Sequence, residues 1–143
     1  MRFGGQALLC VALTLAGDAA LARNRPPTAA DQQLDQCIDK AGGRDLDLKD
    51  CFVAFANTED ERLNLMWDRL MKAVGKDTEV GAALLTEQRA WLAYRDAACR
   101  HYLASGGTLD RLKSQLCFTD LITSRANALE DLANEYEDSN SPE

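Results

Sequence analysis

The chain of 143 residues carries 16 basic and 23 acidic side chains, for a formal charge of −7. Neutralising phosphates takes clustered lysine and arginine, so this balance excludes nucleic acid as the expected partner. A chain of this length buries enough surface for one core, and one domain is expected.

Residues 1–22 read as an export signal. Arg2 supplies the positive start, Leu8 to Leu15 an apolar run too short to span a bilayer, and Ala20-Leu21-Ala22 the small-x-small cleavage pattern. Cys10 is a poor lipid attachment point because Leu9, not a small residue, precedes it. No stable membrane anchor is expected, and the mature chain is placed in the periplasm or outside the cell. Cleavage near Ala22 removes Arg2 and Asp18 together, so the charge stays at −7.

Residues 23–29, with Pro26 and Pro27, form a flexible N-terminus ahead of a helical domain over 30–136. Thr28 with Asp31 makes a capping box, and Leu34, Cys37, Ile38 and Ala41 continue at helical spacing to Gly42-Gly43. A second, short helix is expected from about Asp47, presenting Leu48, Cys51, Phe52 and Phe55. Thr58 with Glu61 reads as the start of a third, whose stripe of Leu63, Met66, Trp67, Leu70, Met71 and Val74 ends at Gly75. On this reading Glu59, Asp60 and Glu61 answer the dipole of a helix N-terminus.

A fourth helix is expected over Thr78 to Leu103, with Val80, Leu84, Gln88, Trp91, Leu92, Arg95, Cys99 and Tyr102 facing inward. After Ser105-Gly106-Gly107, Thr108 caps a short turn carrying Leu109, Leu112 and Leu116. A new stripe then runs through Phe118, Leu121, Ile122, Arg125, Leu129, Leu132 and Tyr136. The two stripes point to nearly opposite sides of one helix, so a bend or break near Cys117 is expected. Residues 137–143 read as a disordered acidic tail. The fold class is all-α, a small bundle of about five helices.

Four cysteines remain after the signal, an even count that reads as two disulfides in an exported chain. Of the three possible connectivities, Cys37 with Cys51 and Cys99 with Cys117 are expected, because each pair flanks one Gly-Gly connection and staples a helical hairpin. The close-set ligand pairs of a metal site are absent, so neither metal nor cofactor is expected. His101 stands without a serine, cysteine or carboxylate arrangement around it, and catalysis is not expected.

Polar groups on inward stripes need partners, since an unpaired buried guanidinium costs several kcal/mol. Asn64, Gln88, Trp91, Arg95, Asp96 and Arg125 are therefore expected to form a polar core network. Gln88, Asn64, backbone carbonyls and a carboxylate such as Asp96 or Asp120 would be the acceptors, and Trp91 would stack on a guanidinium. The alternative is that the arginines line a groove for an anion or a partner helix.

Leu63-Asn64, Trp67 and Leu70, the run Gln88, Trp91, Arg95-Asp96 and Cys99, then Gly106-Gly107, Cys117, Thr123, Arg125 and Leu129 together resemble the lysozyme inhibitor LprI-like domain over about residues 34–135. Trp67 stands where such domains more usually carry tyrosine. The resemblance implies a small secreted or periplasmic helical domain with disulfides that works by binding protein, with a cationic lysozyme as the partner. An acidic chain suits such a partner electrostatically. The loop Ser105-Gly106-Gly107-Thr108, held at its base by the second disulfide, is the candidate contact. No oligomeric state is read from the sequence.

Overall fold

The computed structural model describes residues 25–140, so the export-signal reading and Cys10 lie outside the described part. Four α-helices follow in order: α1 Ala29–Ala41, α2 Asp45–Val74, α3 Glu79–Ala98 and α4 Thr108–Ser139, with a 3-10 turn at Arg100–Leu103 between the last two. The described residues contain no strand.

The count is four rather than five because the second and third expected helices are one. No glycine or proline interrupts Asp45 to Val74, and the Thr58 hydroxyl donates back to the Ala54 carbonyl instead of capping a new start. A hydroxyl that bonds one turn back sits comfortably inside a helix. Glu59, Asp60 and Glu61 therefore lie in the middle of α2, away from any helix terminus.

The expected capping box at the start of the domain forms. Thr28 caps α1, its hydroxyl accepting from the Asp31 amide at 3.2 Å while Asp31 accepts from the Thr28 amide at 2.7 Å. That amide bond holds the Asp31 carboxyl below its ordinary range. Thr78 caps α3 through the Gly81 amide at 3.0 Å. Thr108 does not cap α4: Gly107 occupies that position, and the Thr108 hydroxyl reaches Asp45 at 3.2 Å.

The core is the seam between α2 and α4. Ala56, Glu59, Leu63, Met66 and Leu70 are buried on one side, and Thr119, Ile122, Ala126, Leu129 and Ala133 on the other. Both sets alternate spacings of three and four, the repeat of a left-handed coiled-coil seam. The helices run parallel in constant register. Thr119 reaches the Phe52 carbonyl, Arg62 bonds Glu130, Arg69 bonds Glu137, and Asn140 donates to the Ala73 carbonyl, with sequence offsets of 67 or 68 throughout.

A parallel pair needs a return path, and α3 with the 3-10 turn supplies it. Only Gly81 and Gln88 of α3 are buried, with Leu84 and Trp91 partly buried against the core. Val80, Leu92 and Tyr102, expected to face inward, are exposed. The regular helix stops at Ala98, and Arg100–Leu103 tightens into the 3-10 turn, which rotates Tyr102 off the inward stripe.

The expected break near Cys117 is absent, and α4 runs unbroken for 32 residues. Ile122 and Leu129 of the second stripe enter the core, while the first stripe is covered unevenly, with Leu112 buried and Leu109 48% exposed. The helix also continues three residues past Tyr136, where the tail was expected to start, and Glu137 pairs with Arg69. Both disulfides form as expected, Cys37 with Cys51 and Cys99 with Cys117. Closing loops of 14 and 18 residues, each contributes about 3 kcal/mol in the chain-entropy account.

Gly81 permits the tight entry into α3, because a Cβ there would overlap the Gly75 carbonyl oxygen and lie 3.0 Å from that of Lys76. Gly81→Ala should lower stability by about 1–3 kcal/mol in thermal or denaturant unfolding, as overpacking does. An unchanged midpoint would show that the turn relaxes freely.

Candidate functional site

Two places concentrate polar and exposed side chains. The first is the junction of α2, α3 and α4. Arg125, 8% exposed, donates through Nε to Gln88 Oε1 and through Nη1 to Glu87 Oε1, each at 2.8 Å. Its Cζ lies 5.8 Å from the Trp91 ring centroid. Arg95 lies beside the rings of Trp91 and Phe118, 5.5 Å from each centroid. Asp96 accepts from Arg95 Nε at 3.0 Å and Nη2 at 2.8 Å, and Asp60 lies 3.6 Å from Nη1.

The structure thus brings Gln88, Trp91, Arg95, Asp96 and Arg125 together. Asn64 does not reach either arginine: it donates to Asp60 at 3.5 Å and touches the cluster only through that carboxylate. The carboxylate on Arg125 is Glu87, one residue before the glutamine on the stripe. Helical geometry puts residue 87 about 100° from residue 88, at the rim, where an exposed carboxylate can still lean onto a buried guanidinium. Asp60, Asn64, Trp67, Gln88 and Arg95 line a groove of about 340 Å³ between α2 and α3. Arg95 enters it already matched to two carboxylates.

A second cluster was not expected as such, since the sequence reading has Glu59 only answering a helix dipole. Glu59 is 3% exposed and receives Arg62 through Nε and Nη2. Arg62 also bonds Glu130 at 2.9 Å and Asn127 at 2.7 Å, and Arg25 joins the same two residues from the N-terminal segment. One turn pair further, Arg69 bonds Glu137 and Asn134. That ion pair holds the Glu137 carboxyl below its usual range. The matching seven-residue spacings, Arg62 to Arg69 and Glu130 to Glu137, are the available signal, since charges flanking a parallel seam pair in this way.

The second place is the stapled connection before α4. Arg100 through Leu109 are ten consecutive exposed residues, anchored by the buried Cys99 and its disulfide to Cys117. Tyr102 is 37% exposed, and Leu103 and Leu109 are each 48%. The segment is nonetheless ordered by internal bonds. The His101 ring stacks on Tyr102 at 4.1 Å, and its Nδ1 lies 3.0 Å from the Ala98 carbonyl, so that nitrogen carries the donated hydrogen. Gly106 takes φ +77°, a conformation that a side chain would strain. Asp110 accepts from the Ser105 hydroxyl and from the Gly107 amide, which together hold its carboxyl below the ordinary aspartate range. The Thr108 bond to Asp45 sets this loop beside the Gly42-Gly43 connection, so both stapled connections lie at one end of the molecule.

Two measurements follow from these contacts. Arg125→Met leaves Gln88 without its buried donor and should cost about 1–3 kcal/mol of stability, whereas Arg95→Met, at a wetter site, should cost under about 1 kcal/mol. Equal losses would place both arginines in the core. For the loop, a carboxyl depressed by folding contributes its cap above the unfolded value and loses it as pH falls through the lowered one. The Gly107 amide should therefore stay protected down to about pH 4 and open below it. Asp110→Asn should abolish that pH dependence, and an amide that opens well above this range in the parent chain would show that Asp110 does not hold the loop.

The sequence profile of the family described as lysozyme inhibitor LprI matches residues 37–129, a span that includes both disulfides, the arginine cluster and the exposed loop. No curated protein and no solved structure matches the chain.

Proposed function

The chain belongs to the lysozyme inhibitor LprI family, and from that premise we propose that it is an exported protein-binding domain that inhibits a cationic lysozyme. The family match over residues 37–129 is the observation that carries this reading. The acidic balance of −7 supports it, because opposite net charges steer association. Among the described residues no helix is long and apolar enough to cross a membrane, and no group of three or more metal-binding side chains occurs. The function proposed is binding without turnover, in the periplasm or outside the cell, with the Ser105–Thr108 loop as the contacting element.

A second reading gives the groove between α2 and α3 to an anion or a partner helix. Its support is the cavity of about 340 Å³ lined by Arg89 and Arg95. Against it, Arg95 already pairs with Asp96 and Asp60, so a ligand would have to displace two carboxylates.

The test is lysis of a bacterial cell-wall suspension by lysozyme, with the oxidised mature protein added from equimolar amounts to large excess. Dose-dependent protection that weakens as salt rises is the expected result. Lysis at the uninhibited rate in low salt, with the protein shown folded and oxidised, would reject the inhibitor reading.

A further inference from the structure

The unbroken length of α4 holds an acidic and a basic stretch of the chain at opposite ends of the molecule. The C-terminal ends of α2 and α4 with the start of α3, residues 68–87 and 130–140, carry nine acidic and three basic side chains. At the opposite end, residues 39–50 and 100–113 carry five acidic and six basic ones. Within the exposed connection the bias is sharper: Arg100, Arg111 and Lys113 stand against Asp110 alone, and Asp110 is turned inward to hold Ser105 and Gly107. The same connection bears three exposed large apolar side chains, Tyr102, Leu103 and Leu109.

An acidic body would be drawn to the cationic exterior of a lysozyme. The contacting loop has the other polarity, and that fits the one part of such an enzyme that is acidic. Glycosidases flank the bond they cleave with two carboxyl groups inside a cleft. We propose that the 100–113 connection enters that cleft as a basic, aromatic tip, with Arg100, Arg111 and Lys113 facing the cleft carboxylates and Tyr102, Leu103 and Leu109 against its walls. The acidic far end stays outside and contributes to the approach only. This rests on the lysozyme-inhibitor reading and supplies the surface and its chemistry.

Three features of the tip suit that role. It is stapled at its base by Cys99–Cys117 and ordered by Asp110, so little freedom is lost on docking. Tyrosine and arginine are the side chains that most often anchor protein interfaces. Ser114 donates to the Cys99 carbonyl at 3.2 Å and ties the tip to α4, so a push on the tip is borne by the long helix.

The experiment uses the oxidised full-length mature protein, a cationic lysozyme and a small soluble oligosaccharide substrate that reports on the cleft alone. The parent protein should raise KM and leave kcat unchanged. Arg100→Glu with Arg111→Glu and Lys113→Glu should weaken inhibition by at least about tenfold, the effect of a single hot-spot contact. Tyr102→Ser with Leu109→Ser, which keeps the charge, should do the same. Glu135→Lys with Asp138→Lys at the far end should change only the salt-dependent association rate. Circular dichroism and a thiol count establish that each variant is folded and oxidised. If the parent inhibits and both tip variants inhibit equally well, or if kcat falls with KM unchanged, the tip assignment is overturned and the family reading stands. A parent protein that inhibits neither cell-wall lysis nor oligosaccharide cleavage overturns both.

Discussion

The register of α2 against α4 is the constraint on which the rest of the molecule depends. Two helices of about 45 Å lie side by side in the same direction, zipped along the seam by Ala56, Leu63, Met66 and Leu70 of α2 and Ile122, Ala126, Leu129 and Ala133 of α4. Leu70, Ile122 and Leu129 are the largest side chains fully withdrawn from water. Alanines at 56, 126 and 133 alternate with them, which lets the backbones approach and the larger residues interdigitate. The flanking pairs Arg62–Glu130 and Arg69–Glu137 repeat at the same offset and disfavour a slipped register. Surface ion pairs contribute little individually, but Arg62 and Glu59 are withdrawn from solvent, and a slip would leave the Glu59 carboxylate buried without its partner.

Once that pair is parallel, the loosely packed α3 follows. Its task is to carry the chain back along the seam, and it does so with little buried surface of its own. What holds it is a short set of specific contacts: the Gly81 approach, the Gln88 and Glu87 bonds to Arg125, and the disulfide at Cys99. The arginine cluster is therefore a clasp between a peripheral helix and the core. Arg125 spends its charge on holding α3, and Arg95 is pinned by two rings and two carboxylates. Polar contacts suit this place, since apolar packing alone would leave α3 free to slide along the seam.

Much of this was legible where a local signal coincided with a true chain break. Thr28 follows Pro27 and caps; the disulfides were readable because each pair brackets a Gly-Gly turn. Thr58-x-x-Glu61 has the same local pattern without a break, and there the helix simply continued. The stripes of α4 misled for a related reason. A change of apolar face can be met by bending the helix or by covering it with something else, and periodicity does not say which. Here the 3-10 turn lies over α4, with Tyr102, Leu116 and Leu121 lining a depression of about 490 Å³. Glu59 stayed hidden because its partner Arg62, three residues on along α2, is held over the seam by Glu130 of α4, and a contact at 68-residue separation leaves no short-range trace.

The placement of both stapled connections at one end is a topological result. Had α4 run antiparallel to α2, the Gly42-Gly43 and Ser105–Gly107 connections would sit some 45 Å apart, and the acidic C-terminal third of α4 would lie beside Gly42-Gly43. The unbroken length of α4 holds Asp131, Glu135 and Asp138 at one end and Arg100, Arg111 and Lys113 at the other, and the parallel arrangement sets the basic end beside the first stapled connection. A chain whose formal charge is −7 can then present a tip with a basic excess. Net charge governs attraction at long range, and the local arrangement governs contact, because screening confines each charge to about 8–10 Å in physiological salt. A molecule longer than several such distances can therefore approach a cationic partner by its overall charge and touch it with a surface of the opposite sign.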